Sequence, residues 1–368
     1  MTMADEYDSY QFRLEVLSPV AADSPFDSDT LWGRIFCALM EGSTDERALG
    51  EGWLGGLREA GGRRGSRFKP PLIVSEGFQC DSADRAWLPV PLALRLKWEQ
   101  EGEKKHGLSR KEIKKIDRVP FDLFLSLCEG KEPNLKDLKA VCAEAPRIVP
   151  SLQPHLAMDR LSGTGLDGML YMMPLSVYRD GPEPLEPSEV SRKARLESPP
   201  RVCFFLKMLK SVDSNLTASA LKRVCNEGWG HAKSRGLGQV GFTPLEPWQP
   251  RKFDGTPNGF VSLSHFCPAA IDPTNGYWKI RPKHPVPAQF VDGQRIVLGE
   301  GKDWRVRSFL RITPGSSFKL GEGKELQEYY GRMISGEELL NPSLPGDPGI
   351  FHYALAYPFP LLWPESAG

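Results

Sequence analysis

The chain has 368 residues with 47 basic and 47 acidic side chains, so its formal net charge is zero. Nucleic-acid binding therefore gains no support from a global basic surplus and would have to rest on local clusters of positive charge. The hydrophobic content of 40% is too high for a disordered chain, and no apolar run reaches the roughly 18 residues of a membrane span. This length predicts one large domain or two of ordinary size.

The cysteines and the amino terminus indicate the cellular setting. Seven cysteines are scattered and never form a CxxC pair, which argues against a disulfide framework and against a cysteine-rich zinc site. The start, MTMADEYDSYQFRLEV, is acidic and then strand-like, unlike a secretory signal peptide. We therefore expect a cytoplasmic protein. The 36 glycines and 33 prolines favour strands joined by long loops.

The amino-terminal segment predicts a strand followed by a helix. Apolar Phe12, Leu14 and Val16 alternate with charged side chains over residues 10–18, which is typical of a half-buried strand. Further along, apolar side chains recur at helical spacing. They are Leu31, Trp32, Ile35, Phe36, Leu39 and Met40.

Three aspartates occur in DSPFDSDT, residues 23–30, around the predicted start of this helix. A metal site is one interpretation of such a run, and helix capping with complementation of the helix dipole is the other. The apolar stripe follows at once, and no distant partner motif is evident. We therefore expect Asp27, Ser28 and Asp29 to cap the helix, and we expect no metal.

The middle of the chain alternates short predicted elements with long connections. Residues 71–79 and 86–96 are interpreted as strands broken by prolines, and the charge-alternating run 97–118 as a solvated surface. A short helix is predicted at 121–128, a strand at 202–209 and a helix at 217–227. Residues 146–177 are expected to be irregular, and residues 180–200 form a polar, proline-rich stretch.

The irregular stretch contains the segment HLAMDRLSG, residues 155–163. A histidine close to an Asp-Arg pair raises acid–base chemistry as one interpretation. The alternative, which we favour from the residues alone, is that Asp159 and Arg160 stabilise a turn while His155 is solvated.

The next helix leads directly into GWGHAKSRGLGQVGF, residues 228–242, which holds five glycines and no acidic residue. It is neither a P-loop nor a dinucleotide-binding turn, because the required motif and the strand-to-helix order are absent. A helix cap and a hairpin turn would account for one or two of the glycines. Because glycine lets backbone N–H groups approach phosphates, we expect this loop to contact a phosphate backbone. The contact residues would be Gly228, Gly230, His231, Lys233, Ser234, Arg235, Gly236 and Gly238.

The carboxy-terminal part contains further short strand candidates at 260–265, 277–281, 304–312, 317–319 and 351–359, with a short helix at 335–340. Both parts of the chain are rich in strands and carry one or two helices. The sequence therefore predicts an α+β protein of two domains, at residues 1–242 and 243–368.

Taken in order, these segments resemble the RAMP superfamily of CRISPR–Cas proteins. The resemblance rests on SDTLWGRI, LIVSEGFQ with LPVPLAL, KKIDRV, HLAMDRLSGTG with GMLY, and the glycine loop. FLRITPGSSFK and FHYALAYPF continue it more weakly. The set is most similar to the Cas-five-like subunit of type III (Csm-type) effector complexes, which caps the 5′ tag of the guide RNA.

The resemblance implies two RRM-like (ferredoxin-like) domains, the first with a thumb-like insertion. It implies a non-catalytic subunit without cofactors that binds the crRNA 5′ tag and contacts the large polymerase/cyclase-like subunit and the backbone RAMP subunit. The subunit would contact target RNA only indirectly, and it would not bind a membrane. The glycine loop would lie on the tag, and Asp159 and Arg160 in the insertion near the guide. No RNP aromatic motif is visible, so bases are not expected to stack on an open sheet.

Two alternatives remain at this stage. A RAMP-family endoribonuclease that processes precursor crRNA would need a general acid or base, and His155 and His231 are the candidates within the motifs. No histidine precedes His106, where such enzymes place one near the first helix. A structural scaffold without RNA contact is the other alternative, and the acid-free glycine loop disfavours it.

Overall fold

The computed structural model describes residues 6–21, 26–59, 69–158, 165–179, 199–230, 233–249, 251–285, 290–291, 294–295, 307–339 and 351–364. Helices and several antiparallel sheets combine into an α+β protein, as the sequence predicted. In these residues no helix is both long and apolar enough to cross a membrane. All seven cysteines are free thiols.

The helices are α1 (Ser28–Met40), α2 (Thr44–Glu59), α3 (Leu92–His106), α4 (Arg110–Ile113), α5 (Phe121–Cys128), α6 (Leu135–Ala143), α7 (Ser214–Asn226) and α8 (Gly336–Leu339). The strands of the first part are β1 (Tyr7–Val16), β2 (Leu72–Val74), β3 (Phe78–Gln79), β4 (Trp87–Pro89), β5 (Arg118–Pro120), β6 (Arg147–Met158), β7 (Gly165–Arg179), β8 (Arg201–Leu209), β9 (Val240–Phe242) and β10 (Glu246–Pro247).

The strands of the second part are short. They are β11 (Gly259–Ser262), β12 (Gly276–Tyr277), β13 (Ile280–Lys283), β14 (Phe290–Val291), β15 (Gln294–Arg295), β16 (Phe309–Ile312), β17 (Ser317–Lys319), β18 (Tyr330–Gly331), β19 (Ile334–Ser335), β20 (Phe351–His352), β21 (Leu355–Ala356) and β22 (Pro358–Leu361).

The largest sheet has β1 and β8 at its centre. Strand β8 pairs antiparallel with β1 and, on its other side, with β2 and β3, while β9 and β10 pair with the free side of β1. Helix α1 follows β1 and packs against α7, which follows β8. A second sheet has the order β12-β17-β11-β22, and β13 pairs with β16 beside it.

Strand β8 is buried on both faces, which explains its nearly continuous apolar sequence. Phe204 faces one hydrophobic cluster with α1 and α7 and stacks on Phe12 at 5.0 Å. Phe205 faces a second cluster, which includes Phe124 and Phe359. Tyr353 joins the first cluster, so both clusters combine side chains from the two parts of the chain. Burying each such side chain stabilises the fold by roughly 1.5–3 kcal/mol.

The prediction that residues 146–177 are irregular is wrong. Strands β6 and β7 form a long antiparallel hairpin, with a register that runs from Arg147 opposite Arg179 to Leu156 opposite Leu170. Prolines at 150, 154 and 174 led to this prediction, because proline usually argues against a strand. A two-stranded ribbon tolerates proline because each strand has an unpaired side, where a missing N–H removes no ladder bond.

The strand predicted at 86–96 is also only partly right. Residues 87–89 pair with β5, but helix α3 begins at Leu92, directly after Pro91. A short apolar run does not distinguish a strand from a buried helix. Here the helix continues into the charged residues up to His106 and buries Trp98.

The capping prediction for Asp27, Ser28 and Asp29 is right in position only: α1 begins at Ser28 and Asp29 lies in its first turn. Asp27 occupies the N-cap position, but its side chain makes no capping hydrogen bond. Instead, Arg311 donates to Asp27 Oδ2 at 2.5 Å and to Asp29 Oδ1 at 3.2 Å. The Ser28 hydroxyl is buried without a hydrogen-bond partner. The two carboxylates therefore pair with distant cations, and we call this group with Lys283 and His352 the buried charge cluster.

The buried charge cluster attaches α1 to β13, β16 and β20. Lys283 Nζ lies 2.7 Å and His352 Nε2 3.1 Å from Asp29 Oδ2. Burial alone would raise the pKa of Asp29, but the hydrogen bond from His352 and the charges of His352, Lys283 and Arg311 hold it well below its usual range. Asp29 is thus ionised in the folded chain.

Candidate nucleic-acid interface

The glycine loop is closed by the tryptophan that it carries. Trp229 is 1% exposed, and the guanidinium of Arg34 lies over its ring at 4.8 Å from the centroid. Its backbone N–H donates to Gly238 O at 2.6 Å, and the Gly238 N–H donates to Pro19 O at 2.8 Å. The loop therefore begins and ends at one anchored point, and the described residues 233–237 between these ends form its arch.

Three of the glycines serve this closure. Gly228, Gly230 and Gly238 have φ values of +78°, +78° and +70°. A Cβ at Gly238 would lie 1.7 Å from the carbonyl oxygen of Trp229, and one at Gly230 would lie 2.8 Å from that of Ala21. The structural role that the sequence allowed for one or two glycines thus applies to three of them.

The tip of the arch carries the polar groups. Lys233, Ser234 and Arg235 form a single 3₁₀ turn, and all three are exposed together with Gly236. Gly236 has φ +79° and open space around it. Partial burial and the nearby charge of Arg34 lower the pKa of the Lys233 amine. The tip therefore presents two cations and a hydroxyl to solvent, as a phosphate-binding loop requires.

The remaining predicted site residues lie outside the described residues. They are His231 in the loop, and Asp159 and Arg160 beyond the last described residue of β6. Their predicted RNA contacts stay predictions. The part of the β6–β7 hairpin that is described nevertheless shows what lies next to the glycine loop.

The base of this hairpin packs against the loop. Val20, just after β1, forms an antiparallel bridge with Ser176 of β7. Leu237 packs against a small apolar cluster that contains Met173 and Leu175 of the same strand. The hairpin, the end of β1 and the glycine loop thus meet at one end of the largest sheet.

A groove that sequence reasoning missed opens at the same end. Gln79 of β3 pairs with Val202, near the start of β8, and lines this groove with Arg95, Arg118 and Lys279. Three strand spacings, about 14 Å, separate β3 from β9, where the glycine loop ends. The groove walls come from β3, β4–β5, α3 and the β16–β17 turn. The detectable signal was YWKIRPK at 277–283, where aromatic and basic residues interleave.

A solved structure shares this fold. A chain in the crystal structure of a Csm1–Csm4 cassette in complex with pppApA matches 97% of this chain and 99% of its own length, at 16% identity and a TM-score of 0.51. The fold is thereby shown. A chain of the type III-B Cmr-beta complex bound to cognate target RNA matches 84% of this chain and 86% of its own, at 11% identity and a TM-score of 0.39. No protein-family model and no curated protein matches the sequence.

One group of described residues has the ligand types of a metal site. Asp27, Glu76 and His265 offer ligand atoms within 4.8 Å of one another. Arg311 and Lys283 already lie against Asp27, at 2.5 and 3.4 Å from Oδ2, and supply the positive charge there. The expected absence of a metal therefore remains a prediction, with Asp27 paired to protein cations.

Proposed function

We propose that this chain is a non-catalytic, guide-RNA-binding subunit of a type III CRISPR–Cas effector complex. It would hold the 5′ tag of the crRNA and bridge the large polymerase/cyclase-like subunit to the backbone RAMP subunit. The observation that carries this proposal is the exposed, acid-free tip of the glycine loop, anchored through Trp229 and Gly238.

The shared fold supports the assignment to such a complex. The described chain matches a chain of a Csm1–Csm4 cassette over nearly the whole length of both. A ferredoxin-like module in the first part is supported by the element order β1-α1-β2, then β8-α7-β9, and by the sheet order β9-β1-β8-β2. The β6–β7 hairpin, inserted before β8, is our candidate for the thumb. The second ferredoxin-like domain and the boundary at 242 and 243 belong to the same proposal.

Three of the four histidines whose side chains are described lie against carboxylates, and the fourth, His284, contacts the hydroxyl of Ser308. His265 contacts Glu76, His352 contacts Asp29 and His106 contacts Glu101, all at 3.1 Å or less. Each of these rings is engaged with a carboxylate in the folded chain. Incubating the purified chain with precursor crRNA should leave the RNA intact, and specific cleavage would favour the endoribonuclease alternative.

The test of RNA binding is the double variant Lys233→Ala/Arg235→Ala, measured on the guide RNA over a series of salt concentrations. Each lost phosphate contact on a single strand reduces the slope of log K against log [salt] by about 0.7, so two contacts give about 1.4. The matched control is Lys252→Ala/Lys324→Ala, which removes two exposed lysines elsewhere and should leave the slope unchanged. An unaltered affinity and slope in the loop variant would exclude the loop as the RNA contact.

A further inference from the structure

The groove near β3 carries a net positive charge. Its volume is about 340 Å³, within the range of small-ligand sites. Three cations, Arg95, Arg118 and Lys279, and one acid, Asp117, line it. Arg118 lies 3.6 Å from Asp117, whereas Arg95 and Lys279 form no ion pair with any described residue, although the charges of Asp117 and Glu99 act on Lys279. The remaining positive charge on one concave surface favours an anionic ligand.

Two buried donors in the groove also lack acceptors among the residues that the structure describes. Gln79 is 6% exposed; its Oε1 accepts from Arg118 at 3.0 Å, but its Nε2 has no hydrogen-bond partner. The Nε of Arg95 is likewise buried and unpaired. A buried donor without an acceptor is destabilising because it has lost its hydrogen bonds to water. These donors indicate that a ligand supplies the acceptors.

Two exposed aromatic side chains directly precede Lys279, which lines the groove. Trp278 is 48% exposed and stacks on the buried ring of Phe318, with the planes 6° apart and the centroids at 5.9 Å. Tyr277 is 41% exposed and stacks in the same way on Trp363, at 7° and 5.8 Å. Both rings are therefore fixed in plane while much of their surface remains in water. A fixed, half-exposed ring is an arrangement on which a nucleobase can stack.

We infer that the groove and the Trp278 ring form a second site for single-stranded RNA, in which a base stacks on Trp278 and the adjoining phosphate lies among Arg95, Arg118 and Lys279. The free amide of Gln79 would donate to the same nucleotide. An acidic peptide would satisfy the cations, but it would leave the fixed aromatic faces without a planar partner.

This inference rests on the proposed function, because the bound strand would be an RNA of the effector complex. β3, which lines the groove, and β9, which follows the glycine loop, are three strand spacings apart in the same sheet, about 14 Å. Guide and target RNA share the chemistry that the site recognises, so the experiment has to separate them.

The test compares Trp278→Ala, Trp278→Phe and Arg95→Ala/Lys279→Ala in the full-length chain, with anisotropy of a labelled single-stranded oligoribonucleotide as the readout. A stacked base contributes about 1–3 kcal/mol, so Trp278→Ala should weaken binding roughly 5- to 150-fold without a change in salt slope. Trp278→Phe should retain most of the affinity, which separates lost stacking from misfolding. The cation variant should lower the slope by about 1.4. Ile271→Ala, at a 72% exposed apolar side chain, is the control and should bind normally.

A photoreactive uridine, placed in the guide in one assembled complex and in the target RNA in another, identifies the source of the strand. A crosslink from either RNA to the peptide that contains Trp278 supports the site. If neither the guide RNA nor the target RNA crosslinks to this peptide, the site is overturned. RNA affinity within twofold of wild type for Trp278→Ala and for the cation variant also overturns it. If these variants bind RNA like wild type but no longer bind a partner subunit, the inference is also overturned, and the surface is then a protein-binding surface. If only the glycine-loop variant loses RNA, the inference fails while the proposed function stands; if neither surface matters, both fail.

Discussion

Replacing Arg311 with methionine tests whether the buried charge cluster holds the first and second parts of the chain together. Arg311 is 3% exposed and bonds both Asp27 and Asp29 at the start of α1. Methionine fills much of the same space but provides no donor. The variant therefore leaves two buried carboxylates without the guanidinium that bonds both, while Lys283, His352 and, near Asp27, His265 remain.

Removing one partner from a buried ion pair costs about 3–5 kcal/mol, because the remaining charge stays desolvated. Both hydrophobic clusters contain side chains from each part of the chain, so we expect the parts to unfold together. At about 2.1 cal/mol/K per residue, a chain of 368 residues has an unfolding entropy of about 0.8 kcal/mol/K. The expected loss in Tm is thus about 4–6 °C.

Differential scanning calorimetry at neutral pH measures this loss. The control is Arg332→Met, which removes a pair with Glu338 whose side chains are 32% and 45% exposed. Such a pair contributes at most about 1 kcal/mol, or about 1 °C here. Adding Asp27→Asn and Asp29→Asn to Arg311→Met should recover part of the stability, because the unpaired charges are then gone. An Arg311→Met protein that melts like the control would refute the reasoning.

Two further outcomes follow from buried positions. Gly238→Ala should destabilise the chain by more than about 1–3 kcal/mol, because the residue has a positive φ and the added Cβ would lie 1.7 Å from Trp229 O. The control is Gly52→Ala, on α2 with open space around it, which should be neutral or stabilising in the same thermal melts. Burial raises the pKa of Glu76 to about 7, although His265 opposes the shift. The folded chain then keeps a proton that the unfolded chain loses, so stability should fall as the pH rises from about 4.5 to 7. Glu76→Gln should flatten this fall in melts across that range, and parallel curves for the two proteins would contradict the assignment.

Local pattern was sufficient for several elements. The alternation around Phe12 predicted β1, the stripe from Leu31 to Leu39 predicted α1, and the apolar run at 202–209 predicted β8, because each pattern records which side of one segment is buried. The glycine loop was also recognisable, since its glycine density and its lack of acids are properties of one short stretch. Which glycines close the loop and which face solvent was not recognisable, because the closure involves Pro19 and Ala21.

The sequence by itself therefore determined the α+β class, the elements β1, α1, β8 and α7 of the first part, and the loop that we propose for RNA. Only the tertiary structure decided the roles of Asp27 and Asp29, whose shared partner Arg311 lies 284 and 282 residues away. It also decided the groove, which joins Gln79 and Arg95 to Lys279 from distant segments. The physical reason is that periodicity encodes burial within a segment, whereas the partner of a buried charge is chosen by how the segments pack.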